Sequence, residues 1–342
     1  KAFLGQHIGD LENLETLEHF HASLATYERL FRVGPQVIVH DLHPDYMSTH
    51  VAQERTAAET LRVAVQHHHA HVVSVMAEHG IRGPLIGVAY DGTGYGTDGA
   101  VWGGEVLVAD WARFERVAHL RYAPMLGGEA AIRKPYRMAA GYIWALCRRA
   151  GEAEFSAYID RLPIGERIIL RRQFETRLNT PLTSSCGRLF DAAAALLGLR
   201  MESLYEGQPA VELEAVADWD TDELYPYDII REGDGWVIDP AATLRALWCE
   251  CRAGRPIPTI AGAFHNTVAS FTVAVCKLVR ERHRLERVAL SGGCFQNALL
   301  TRRLVDGLGR EGFEVFTHRR VPPNDGGIAL GQAVVGYSLA AE

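Results

Sequence analysis

The chain has 342 residues, 48% of them hydrophobic and 23% charged, with a net charge of −7 at neutral pH, which suits two domains or one large two-lobed one of ordinary globular composition. The acidic balance argues against a general nucleic-acid binder. No apolar run nears the roughly 20 residues that cross a bilayer and the N-terminus lacks a signal-peptide pattern, so a membrane role is not expected and a cytoplasmic location is.

Leu14, Leu17, Phe20, Leu24, Tyr27, Leu30 and Phe31 recur at core spacing and predict a helix that ends before Pro35. Val37–Val39 is a short strand running into a polar turn with His40, Asp41, His43 and Asp45, either a support for a neighbouring site or a solvated turn. A helix from Val51 is expected to lead into the densest cluster of chemistry in the chain, His67, His68, His69 and His71. The helical pattern runs from Val65 to His79 and stops at Gly80. His67 and His71 then lie one turn apart on one face, the spacing with which two imidazoles grip one metal ion, while His68 points about 100° away. Glu is missing from the second position of this motif, which disfavours an HExxH protease.

Leu85–Tyr90 is a continuous apolar run that predicts a buried strand, with Asp91 at its carboxyl end, where ligands of open α/β sheets gather. Glycines 92, 94, 96 and 99 let backbone amides approach an anion, or else form a flexible hairpin tip, before a return strand over 100–110. A meander strand over Val117–Leu120 and a helix entered through Pro135 follow, then an amphipathic helical stretch over residues 151–180 without evident chemistry. Thr183, Ser184, Ser185 and Gly187 lead into a helix with Asp191 early in it, placed to meet an anion or ribose hydroxyls or to compensate the helix dipole.

Residues 205–217 begin as a loop and become strand or helix, and residues 218–240 are turn-rich with a short strand near Trp236–Ile238. A long helix over Ile260–Arg284 carries His265 and Asn266. Residues 287–319 read as a strand, a Ser291-Gly292-Gly293 turn, a helix with Asn297 one turn in, and a second strand. Asp325, Gly326 and Gly327 form a loop before the last helix. Cys147, Cys186, Cys249, Cys251, Cys276 and Cys294 include no CxxC, so a zinc finger is not expected and reduced thiols are. The two Gly-turn units need a shared cleft, so the expected fold is a two-lobed α/β protein. Lobe one takes residues 1–123 with 325–342, and lobe two takes 124–324.

Several long motifs carry a family likeness: QHIGDLENLETL, HDLHPDY, QHHHAH, AYDGTGYGTDGAVWGGE, SSCGRLFDAAAALLG, YEGQPAVELE, FHNTVA, LSGGCFQN and PPNDGGIALGQA. Over nearly its whole length the chain resembles the C-terminal, TsaD-like domain of the HypF carbamoyltransferases of hydrogenase maturation. More distantly it is similar to TsaD, the tRNA threonylcarbamoyl transfer subunit, and to the antibiotic O-carbamoyltransferases. The resemblance implies the actin/Hsp70/sugar-kinase architecture with nucleotide and metal between the lobes. It implies a divalent metal, zinc or iron, on His67, His71, Asp91 and Asp325, holding the phosphate and acyl end of a carbamoyl-adenylate. Gly92 and Gly94 would approach the phosphate, while Gly187, Asp191, Gly292, Gly293 and Asn297 would cradle ribose and adenine, with Mg²⁺ accompanying ATP.

By the same resemblance the acceptor is the C-terminal cysteine of the partner HypE, and acylphosphatase, zinc-finger and YrdC-like domains precede this one. None of the three is visible in the sequence, so an isolated module or fragment performing the transfer half-reaction is expected, with the first hairpin of lobe one missing. Pro209 stands where the family usually has GQAA. The alternatives are a sugar-kinase-like ATP phosphotransferase, which needs Mg²⁺ but no helical histidine pair, and a nucleotide-dependent interaction module without chemistry.

Overall fold

Residues 1–11, 13–146 and 152–341 are described in a computed structural model; Cys147 lies outside them. Helix α1 (Leu14–Phe31) starts where the Asn13 side chain accepts from the Thr16 amide, and Arg32, in the left-handed conformation, ends it. Strand β1 (Val37–Asp41), α2 (Met47–Arg55), β2 (Leu61–Val65) and α3 (His67–His79) follow. The expected continuous helix from Val51 into the histidines is therefore broken. The β-branched LRVAV segment finds a parallel partner in β1, with Val39 opposite Val63 and Asp41 opposite Val65. That pairing leaves α3 to begin at His67, with the Gln66 side chain capping the His69 amide and Gly80 closing the helix at φ +67°.

Strands β3 (Leu85–Tyr95), β4 (Val101–Ala109) and β5 (Phe114–Leu120) form an antiparallel meander. Then come β6 (Ala123–Pro124), α4 (Ala130–Arg133), α5 (Pro135–Leu146), α6 (Glu152–Ile159), α7 (Ile164–Thr176), β7 (Leu182–Thr183) and α8 (Cys186–Leu196). Residues 205–217 resolve as helix α9 (Gln208–Val216), with Pro209 in its first turn, where a missing amide costs nothing. The rest of the chain is β8 (Asp228–Glu232), β9 (Gly235–Asp239), α10 (Ala241–Arg252), α11 (Ile257–His283), β10 (Arg287–Ser291), α12 (Ala298–Arg310), β11 (Glu314–Phe316) and α13 (Ile328–Ala341).

The main sheet runs β11-β10-β3-β4-β5-β9-β8. Strand β10 lies parallel to β3, with Val288 opposite Ile86 and Ser291 opposite Ala89. Both strands are apolar on both faces and so demand a central position. This sheet joins residues on either side of the boundary expected at residue 123: the strands of 85–120 and of 287–316 are hydrogen-bonded to one another. The β1–β2 pair forms a separate small sheet, and α13 packs beside it and against α3.

Alternation along β3 sorts the core. Leu85 and Ala89 face a cluster with Val72, Val75 and Met76 of α3, Leu107 and Val335. Ile86, Val88 and Tyr90 face the opposite cluster with Phe190 of α8 and Phe264 and Phe271 of α11. Helix α11 has the length and composition to cross a membrane, which the sequence reading does not anticipate, but 78% of its apolar window is buried inside the molecule. It is a core helix.

Candidate metal and nucleotide site

Strand β3 runs past the expected end at Tyr90 but shifts register against β4 between Tyr90 and Gly94, and there Asp91 meets the first turn of α3. One ligand atom each from His67, His71, Asp91 and Asp325 lies within 4.8 Å of the others. Asp91 Oδ2 stands 3.2 Å from His67 Nε2 and 3.0 Å from His71 Nε2. Asp325 Oδ1 stands 3.4 and 3.3 Å from the same two nitrogens. His67, His71 and Asp91 are buried, whereas the Asp325 side chain is 65% exposed, so the cluster is closed on three sides and open on the fourth.

The surroundings orient each group. Asp41 Oδ2 accepts from His67 Nδ1 at 2.9 Å, so that when a cation takes the place of the proton on Nε2 the neutral ring keeps its hydrogen on Nδ1. The other oxygen of Asp91, Oδ1, accepts from the amides of Gly92 (2.8 Å) and Gly293 (3.0 Å). Behind His71 a chain of contacts leads outward: Ser291 Oγ lies 3.4 Å from its Nδ1 and 2.8 Å from His318 Nε2, and His318 Nδ1 lies 2.8 Å from Glu78. Burial alone would lower the pKa of both ligand histidines. Hydrogen bonds to Asp325, Asp41 and Asp91 outweigh it at His67 and hold it well above the usual range, and the charge of Asp91 with hydrogen bonds to Asp325 and Asp91 raises His71. Burial pushes Asp91 up, but the two imidazoles hold it well below the ordinary carboxylate range, and they lower Asp325 as well. Two ionised carboxylates facing two imidazoles form a site that calls for positive charge, whether protons or a cation.

Of the residues expected at a nucleotide, Gly92, Gly94, Gly187, Gly292 and Gly293 adjoin this cluster, several held by the protein itself. Gly94 is needed because a Cβ there would lie 2.4 Å from the His68 ring and 2.8 Å from that of His67. Gly292 takes φ +103° under the Tyr90 carbonyl, 2.2 Å from where a Cβ would stand, and so brings the Gly293 amide onto Asp91. Gly187 lets the start of α8 rest on Gly92, because a Cβ there would lie 2.9 Å from the Gly92 Cα. Gly92 faces Glu206 and Arg188. Asp191 is not in the first turn of its helix: α8 begins at Cys186, capped by Ser185, and Asp191 is buried one turn on beside Arg188. That place removes the dipole-compensating role. Asn297 caps α12 and does not lie one turn into it as expected, because its Oδ1 accepts from the Leu300 amide, while its Nδ2 is taken by His265.

Sequence reasoning did not single out Asp41 from its polar turn, and passed over Ser291, His318 and Glu78 as a chain and Arg188 as a site residue. For Asp41 the signal was present, a carboxylate at the end of a strand whose parallel partner runs into the histidines. His68 stays out of the ligand set as expected, yet its ring remains 5.2 Å from that of His67, buried, with Nε2 lacking a partner among the described residues. A cavity of about 650 Å³ lies elsewhere, lined by Ile143, Ile159, Ile164 and Ile168 of α5, α6 and α7.

Comparison with known proteins gives two family matches: residues 87–332 to the second subdomain of the carbamoyltransferase Kae1-like domain, and residues 1–78 to the HypF Kae1-like domain. Carbamoyltransferase HypF2 of Cupriavidus necator is 41% identical over 99% of this chain and 44% of its own length. Carbamoyltransferase HypF of Synechocystis is 36% identical over 97% of the chain and 44% of its own. The crystal structure of a full-length HypF in the phosphate- and nucleotide-bound form superposes with a TM-score of 0.93 at 44% identity, covering 98% of this chain and 52% of that one. The chain thus spans less than half the length of these two curated relatives.

Proposed function

The chain belongs to the HypF carbamoyltransferase family, as its Kae1-like part, and from that premise we propose that it transfers a carbamoyl group from carbamoyl-adenylate to a cysteine thiol. Its fold is the two-lobed α/β type of that family. The observation that carries the reading is the convergence of His67, His71, Asp91 and Asp325, open to solvent at Asp325 alone. Two nitrogens and two carboxylates suit a divalent metal of the zinc or iron type, and Asp41 already sets the tautomer that such an ion requires of His67. An open side is what separates a site that works on a ligand from one that only ties the fold together.

A metal bound there supplies a Lewis acid for the carbonyl and phosphate oxygens. The chain's own residues do the rest. The Gly92–Gly94 stretch offers backbone without side chains next to the cluster, and Gly187, Asp191 and the Gly292-Gly293 turn surround the adjoining space, where we place the nucleotide. In the transfer the thiol sulfur forms a bond to the carbamoyl carbon, the bond from that carbon to the phosphate oxygen breaks, AMP departs and the thiol proton passes to solvent. No internal nucleophile is required, because the acyl phosphate is already activated. Cys294, beside the Gly-Gly turn, is a poor candidate for one: a hydrogen bond with Cys186, then burial, hold its thiol well above the usual range and so keep it protonated.

In this reading the acceptor is the C-terminal cysteine of HypE and the adenylate comes from a YrdC-like active site. The test supplies synthetic carbamoyl-adenylate and a peptide ending in cysteine, and follows thiocarbamate by mass spectrometry. Wild type and a variant lacking all cysteines should both transfer, and Asp325→Ala should not. Transfer that survives Asp325→Ala at full rate would remove the cluster from the chemistry.

A further inference from the structure

Helix α8 buries an ion pair that is only half made. Arg188 and Asp191 are each 1% exposed, and Arg188 Nε stands 2.8 Å from Asp191 Oδ2. The contact is too skewed for a hydrogen bond: Arg188 Nε and Nη1 and both oxygens of Asp191 lack a hydrogen-bond partner among the described residues. Unpaired buried polar atoms of this kind are costly, and charged ones more so. Four on one helical turn ask for something that both accepts and donates.

Their location says what that is. Arg188 Nη2 lies 3.8 Å from where a Cβ on Gly92 would stand, and Gly92 follows Asp91 of the metal cluster. Arg188 thus adjoins, together with Glu206, the backbone that follows Asp91, and Asp191 meets it from the next turn of α8. Burial, opposed by Arg188, raises the Asp191 pKa to about 6, as suits a carboxyl still without a donor.

We propose that Arg188 binds the phosphate of the nucleoside monophosphate moiety of the substrate, beside Asp191, which the family resemblance already implies at the ribose. This rests on the nucleotide reading of the cleft and deepens it by naming the charge that holds the phosphate at the cluster. A guanidinium suits the task because its planar fork meets two phosphate oxygens at once. The rival account is an ion pair that merely stiffens α8.

Calorimetric titrations with AMP and with adenosine separate the two. Wild type should bind AMP more tightly than adenosine. Arg188→Met should lose AMP affinity roughly 10- to 100-fold while adenosine binds as before. Equal weakening for both ligands marks a structural role and overturns the proposal, as does an AMP preference that survives the substitution. Should Arg188→Met fail to fold, ¹⁵N-arginine side-chain spectra of the wild type decide, with Arg188→Lys providing the assignment. The Arg188 resonance must move with AMP and stay with adenosine, and a signal indifferent to AMP ends the idea. If the wild type binds neither ligand, the nucleotide reading itself falls, and this one with it.

Discussion

Replacing Asp41 with Asn tests whether an atom outside the ligand set controls the metal. The carboxylate is 5% exposed and has both oxygens in use, Oδ2 with His67 Nδ1 at 2.9 Å and Oδ1 with the His43 amide at 2.8 Å. Asn keeps the volume but offers one acceptor and one donor. If its oxygen faces His67, its NH₂ opposes the His43 amide. If its NH₂ faces His67, Nδ1 must give up its proton and Nε2 takes it, which turns a donor toward the place of the ion. Either way one charge-assisted hydrogen bond goes, worth about 1.5–3 kcal/mol, or about 10- to 100-fold in metal affinity. A smaller effect of opposite sign accompanies it. Without Asp41 the His67 pKa falls, fewer protons compete for Nε2, and metal binding depends less on pH below neutrality. Zinc titration against a chromophoric chelator at several pH values measures both effects, with His68→Ala as the comparison that should change affinity little. Asp41→Asn binding zinc within threefold of wild type would show that the tautomer argument is wrong.

His265 is fully buried, its Nδ1–H donating to the Ala261 carbonyl and its Nε2 accepting from Asn297, and burial lowers its pKa to about 4. The unfolded chain, near 6.5, then binds the proton more readily, so stability is full above pH about 6.5 and declines by about 3 kcal/mol as pH falls to 4. Urea melts should show that slope, and it should flatten in His265→Gln. Gly331→Ala would set a Cβ 1.8 Å from the Ala70 carbonyl oxygen, where only backbone can give way, and so would prise α13 from α3. A loss of about 1–3 kcal/mol is expected in thermal unfolding, with weaker metal binding because α3 carries His67 and His71. A fall in affinity without any loss of stability would contradict that account. Cys294→Ser should transfer carbamoyl at the wild-type rate in the adenylate assay, since the protonated thiol takes no part, and a dead but folded variant would implicate it.

Much of the site was legible because it obeys local periods. The i, i+4 pair of His67 and His71 lies on one helical face whatever surrounds it, Gly80 stops that helix by its own φ, and the apolar run from Leu85 has to end buried with Asp91 at its tip. The long motifs added the family, and with it the expectation that Asp325 joins residues far from it in sequence. The rest depended on long-range partners. Whether LRVAV continued a helix or made a strand was decided by β1 lying beside it, and that pairing brought Asp41 to His67. The boundary expected at residue 123 does not coincide with a break in the main sheet, because the hydrogen bonds from β3 to β10 join residues 202 positions apart, such as Ile86 and Val288, and no local pattern encodes a partner. Arg188 looked like any charged residue on a helix. The packing around α8 buries it and leaves its Nε and Nη1 without a hydrogen bond among the described residues, because burial belongs to the assembled fold while charge and spacing belong to the chain.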